Sequence, residues 1–187
     1  MPHAPNSTAQ RLTVTAAQLF QQKGYHGVGL AEILNTAKVP KGSLYHHFPN
    51  GKPDLALAAA DWASGLMLGV IEDAFNHAPS FEDGARTLCY KLAKLFDLSG
   101  QQAGCPVSAT LFDAPDNDEF RDRAATLFES WIDAGERHAV RLGIDPAQAR
   151  ARAEQMFAVI QGGWTLARAR RSSDALRTLA AMFEPPS

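Results

Sequence analysis

Apolar residues recur along this chain at helical spacing, and no stretch alternates polar and apolar long enough to predict a strand. Ser7 with Gln10 three residues later makes a capping-box pattern. Leu12, Ala16, Leu19 and Phe20 line one face of the helix it opens, and Gly24 is placed as its stop. A short helix over 30–37 buries Ile33 and Leu34. Another, over 41–48, follows after only the turn Lys38-Val39-Pro40, with Leu44 and Phe48 facing inward. Pro49-Asn50-Gly51 then breaks the chain. Pro53 suits the first turn of a long helix to Phe75, whose face of Leu57, Trp62, Leu66, Val70 and Ile71 is spaced for burial. Helices over 81–98, near 106–112 and, after an acidic turn, over 118–142 come next. The last of these carries Leu127, Phe128, Trp131, Ile132, His138 and Leu142 on one broad face and stops at Gly143. Asp145-Pro146 with Gln148 caps a helix to about Arg171, and residues 174–183 form a final short one. The pattern predicts an all-α fold of about nine helices. Residues 1–52 form a three-helix unit, and residues 53–187 form a larger helical body with no flexible linker between.

A chain of 187 residues buries a core without help from disulfides or metal. Its two cysteines, Cys89 and Cys105, make no disulfide framework, and a reducing cytoplasm is the expected compartment. The N-terminus lacks the basic and apolar regions of a signal peptide, and no uninterrupted apolar run suggests a membrane partner. The net charge of −2 conceals an asymmetry. Residues 1–55 hold five Lys/Arg against two acids, a net of +3. That leaves the remainder 13 bases and 18 acids of the chain's 18 and 20, a net of −5. A basic head on an acidic body points the head at a polyanion.

Lys38 to Leu55, KVPKGSLYHHFPNGKPDL, concentrates the candidate chemistry. Adjacent His46 and His47 point roughly 100° apart on a helix and do not readily share one ion. No C-x-x-C or H-x-x-x-H spacing occurs, so neither a metal nor a cofactor is expected, and no catalytic residue is assigned. Two short helices joined by a tight turn, the second basic and polar, instead form a helix-turn-helix pattern for double-stranded DNA. Small Gly42 and Ser43 let the backbone approach base edges. Lys41 and His46 reach bases or nearby phosphates, the Ser43 and Tyr45 hydroxyls donate to phosphate, and Lys52 starts the next helix where a phosphate could lie.

AEILNTAKVPKGSLYHHF resembles the DNA-binding signature of the TetR family of repressors. HHFPNGK, GCPVSA (104–109) and GGWTLARARRS (162–172) resemble its LmrA/YxaF-like branch. The resemblance implies a ligand-responsive DNA-binding regulator, most simply a repressor. Lys41, Gly42, Ser43 and His46 fall at base-edge positions, and Tyr45, His47 and Lys52 at phosphate-contact positions. Three positions depart from the family pattern. Gly29 follows Val28 where a capping Thr or Ser is usual, Lys38 replaces a turn Gly, and Asn50 replaces another Gly.

Operators of two half-sites imply a homodimer. Its candidate interface is the last two helices: Met156, Val159, Ile160, Gly162, Gly163, Leu166, Leu176 and Leu179, with Met182. The glycine pair either admits a partner helix or relieves a clash within one subunit. Trp62, Leu66, Phe96, Cys105, Phe112, Phe128, Trp131, Gln161 and Trp164, with His138 as a further polar group, are candidates to line a small-molecule site for an apolar or aromatic effector; the alternative is plain core. Cys105 is either a redox thiol or a small buried apolar residue. Two competing functions remain: an α-helical enzyme with a buried pocket, and an interaction adaptor or small-molecule-binding protein that has lost operator binding.

Overall fold

The computed structural model describes residues 7–112 and 117–183; of the expected acidic turn at 113–119, residues 113–116 lie outside the described residues. Nine α-helices and a closing 3-10 turn, with no strand, make up those residues. They are α1 (Thr8–Lys23), α2 (Leu30–Ala37), α3 (Lys41–His47), α4 (Lys52–Phe75), α5 (Phe81–Leu98), α6 (Pro106–Leu111), α7 (Asp118–Arg141), α8 (Pro146–Arg170) and α9 (Asp174–Ala180), with the 3-10 turn at Ala181–Phe183. Local signals set the ends. Ser7 Oγ accepts the Gln10 N–H at 3.1 Å, and the Asp145 carboxylate accepts the Ala147 N–H at 2.9 Å. Gly24, at φ 76°, donates its N–H to Phe20 O at 2.8 Å and closes α1.

The helices fall into two compact units that do not follow chain order. One holds residues 7–65, 106–112 and 117–127; the other holds 66–105 and 128–183. In the first, α1 packs on α2, α3 and α6, with Leu12, Phe20, Ile33 and Leu44 fully buried. In the second, α9 packs on α5 and α8. Arg150 of α8 pairs with Glu129, Asp133 and Glu136 of α7 and with Glu154 of its own helix; hydrogen bonds to Asp133 first, then Glu136 and Glu129, raise its guanidinium pKa.

α4 corrects the sequence reading of its buried face. Its buried stripe is not Leu57, Trp62, Leu66 and Val70 but the smaller residues Leu55, Ala56, Ala59, Ala60, Ala63, Met67, Ile71 and Ala74. Leu66 is 48% exposed. Alanines contribute little to a hydropathy pattern, yet they let a neighbouring helix come close. α4 is also, among the described residues, long and apolar enough by composition to cross a membrane. Its buried alanine face, the Asp61–Arg123 ion pair (2.6 Å) and the Glu72–His138 contact (2.8 Å) make it a core helix.

Lys38 does adopt the left-handed region, φ 53° and ψ 49°, which costs an L-residue about 1–2 kcal/mol. Its carbonyl accepts from Arg11 at 3.1 Å. After α3 the positive φ belongs to Gly51 (75°), not to Asn50. Asn50 instead donates its backbone and side-chain N–H groups to Asp54, at 2.9 and 3.0 Å.

Candidate nucleic-acid interface and apolar cavity

α3 is seven residues long, so its faces separate cleanly. Leu44 is buried and Phe48, its C-cap, is nearly so, which seats the helix on α1. Lys41, Gly42, Tyr45, His46 and His47 are exposed, with Ser43 half-buried beside them. Gly42 is not required by the protein's own packing. A Cβ there would meet nothing within 4 Å, and its φ is not positive. The same open space surrounds Gly29, the N-cap of α2, which caps with no side chain. The His46 and His47 rings stand 4.9 Å apart and nearly edge-on. No cluster of three potential metal ligands exists among the described residues.

Lys52 is placed differently from the other predicted contacts. Its ammonium sits 4.2 Å from the centre of the Tyr25 ring, partly buried, and that burial lowers its pKa. Burial in turn raises the Tyr25 phenol. Phe120 of α7 meets the same ring edge-on at 5.3 Å. Lys52 in this arrangement ties α4 to the turn after α1.

In the second unit, Met67 and Ile71 of α4, Leu88 and Leu92 of α5, Trp131 of α7, and Met156, Phe157, Ile160, Gln161 and Trp164 of α8 surround an apolar cavity. The free space is about 20 Å³, room for about one water. Gln161 Nε2 donates to Cys105 Sγ at 3.3 Å, and Trp164 Nε1 donates to Ala103 O at 3.1 Å.

Of the effector candidates read from sequence, Trp131, Gln161 and Trp164 line this cavity, and Cys105 touches it through Gln161. Phe128 packs behind, 5.5 Å from Trp131 and 5.2 Å from Phe157. The others lie elsewhere. Phe96 is buried in the core, Leu66 is exposed, and Trp62 and Phe112 belong to the first unit, Phe112 being 56% exposed. His138 is committed to packing. It contacts Glu72 Oε2 at 2.8 Å and Arg141 at 3.2 Å, and it stacks on Phe75 at 5.1 Å. The sequence reading missed Met67, Ile71, Leu88, Leu92 and Phe157. Their i, i+4 pairing on α4 and α5 was visible, but it marks core and cavity wall alike.

The interface candidates divide too. Met156 and Ile160 line the cavity and Leu176 is fully buried, so none of them is free for a partner. Gly163 serves its own subunit. A Cβ there would overlap the end of Leu179 and lie 3.4 Å from Leu176 Cδ2. Gly162 faces open space, Leu166 is 46% exposed, and Met182 is exposed. Val159 and Leu179 are half-buried.

Residues 83–182 match the family model for the C-terminal domain of LmrA/YxaF-like transcriptional regulators, and residues 12–59 match that of bacterial regulatory proteins of the tetR family. An HTH-type transcriptional regulator of Mycobacterium tuberculosis is 30% identical over 175 residues, 87% of this chain and 84% of its own length. The regulatory protein TetR from Rhodobacter sphaeroides is structurally similar, with a TM-score of 0.81 at 26% identity over 95% of this chain and 97% of that one. The fold is also that of CifR, a TetR family regulator solved with 26bp double-strand operator DNA. The TM-score is 0.78 at 22% identity, over 98% of this chain and 97% of that one.

Proposed function

The chain belongs to the TetR family of transcriptional regulators, in its LmrA/YxaF-like branch, and from that premise we propose that it represses by operator binding and is released by a small apolar or aromatic effector. The observation that carries the DNA half is α3: a short helix held by Leu44 and Phe48 that exposes Lys41, Gly42 and His46 with Ser43 half-buried beside them, and at Gly42 no internal packing requires a glycine. Such a helix enters a major groove with its first turn nearest the base edges. Tyr45 and His47 flank it for phosphate. Lys52 is the weaker phosphate candidate, because its ammonium already covers Tyr25.

The regulator works as a homodimer in the cytoplasm, each head taking one half-site. The face that supports dimerisation is the outer side of α8, where Ala158, Gly162, Thr165, Leu166 and Ala169 are exposed and small or apolar. The apolar cavity supports the effector half. α4 is one unbroken helix whose residues 52–65 belong to the first unit, while Met67 and Ile71 wall the cavity. An effector that binds one arrangement of α4 better than another shifts the population of DNA-competent protein by that difference in affinity. This reading assigns regulation rather than catalysis, in keeping with relatives named as regulators.

Fluorescence anisotropy on the DNA flanking the gene, against random DNA, tests it. His46→Ala is expected to lower operator affinity about tenfold and narrow the gap to random DNA. An operator preference untouched by His46→Ala removes the base-contact role. Equal wild-type binding to both DNAs overturns the operator reading.

A further inference from the structure

Every side chain lining the cavity is uncharged, so an ionised ligand would lose its water there and gain no counter-charge. The polar groups at hand are nearly used up. Trp164 gives its indole N–H to Ala103, and Gln161 gives Nε2 to Cys105. Gln161 keeps the carbonyl oxygen of its amide, which only accepts, and the second N–H of Nε2.

The space is also too small as it stands. About 20 Å³ holds about one water and no ring. A ligand has to displace part of the wall. Tryptophan, phenylalanine and isoleucine move as stiff blocks, whereas methionine has three rotatable bonds and refills irregular gaps. Met67 and Met156 are the two methionines in the wall, contributed by α4 and α8. Met156 ends against Gly135 of α7, where an added Cβ would come within 3.4 Å of its Cε.

We propose that this cavity selects a small neutral aromatic ligand bearing one hydrogen-bond donor, admitted by displacement of Met67 and Met156 and oriented by the Gln161 carbonyl. The proposal rests on the reading of the cavity as the effector site and adds the charge, polarity and entry of the effector. Displacing a cavity wall on α4 also gives binding a direct mechanical consequence for that helix.

Calorimetric titration of the full chain with four single-ring probes tests it: p-cresol, 4-methylanisole, toluene and p-toluate. p-Cresol should bind about fivefold tighter than 4-methylanisole, its methyl ether, which is one methyl larger and cannot donate, and p-toluate should give no heat. Gln161→Leu should remove the p-cresol advantage and leave toluene unchanged. Met156→Ala should tighten toluene about tenfold by removing the group that must move. Equal binding of p-toluate and p-cresol overturns the proposal, as does a p-cresol advantage that survives Gln161→Leu. Silence of all four probes in both wild type and Met156→Ala also overturns it. Operator release is measured separately by anisotropy. p-Cresol binding as expected with the operator complex intact upholds the cavity chemistry and overturns only the effector-release reading.

Discussion

Gly84→Ala should be among the most damaging single-methyl additions in the protein. Gly84 lies in the first turn and a half of α5, and a Cβ there would stand 2.8 Å from Phe75 Cγ, with two other ring carbons closer still. The ring has nowhere to go. Phe75 is fully buried, with His138 stacked 5.1 Å away and Phe81 5.3 Å away. Overpacking costs about 1–3 kcal/mol when neighbours give way, and a clamped aromatic sits at the upper end. Alanine's better helix propensity returns about 1 kcal/mol, leaving a net loss of about 2 kcal/mol. For a chain of this size that lowers Tm by about 6 °C. Gly69 is the internal control. It is mid-helix in α4, exposed, without positive φ, and its Cβ would meet nothing within 4 Å. Gly69→Ala should raise Tm by about 3 °C. Thermal melts followed by circular dichroism at 222 nm (the standard helix band) read both. A Gly84→Ala protein melting at or above wild type would show that Phe75 is not held between α5 and His138, and the argument for this corner would fail.

Three further outcomes follow from named contacts. Lys38→Gly relieves a left-handed residue and should raise stability in urea by about 1 kcal/mol; no change would mean that the turn relaxes at no cost. Asp97 is held below the usual carboxylate range by hydrogen bonds from Arg177 (2.9 Å) and Ser173 (3.0 Å). Below pH about 4 the unfolded chain therefore binds a proton that the folded chain has released, so this contribution is complete above that pH and lost as pH falls through the folded value. Asp97→Asn should flatten that part of the acid-denaturation profile, and an identical profile would exclude the ion pair as a source of acid sensitivity. Gly162→Arg faces open space within the protomer, so it should fold normally yet sediment as a monomer. A dimer that survives it places the interface off the outer face of α8.

Much of the head was legible from residues alone, because its structure is local. The Ser7 cap, the Gly24 stop, the tight turn before Lys41 and the inward Leu44 and Phe48 are all fixed within a few positions of chain. Helix limits elsewhere fell within a residue or two, except that the last helix gives way to a 3-10 turn after Ala180, for the same reason: caps and prolines act over one turn. What a side chain meets across the fold was not legible. Lys52 reads as a free cation at a helix start, but only the packed chain puts Tyr25 beneath it. Gly162 and Gly163 are neighbours of one type, and only the position of α9 makes one a close contact and the other an open surface. Large apolar side chains drew attention to Trp62, Leu66 and Phe112, while the cavity wall also took Met67, Met156 and Leu88. Hydropathy measures how much a residue gains by leaving water. It carries no information on which neighbour supplies the dry surface, and that was decided by how the helices pack.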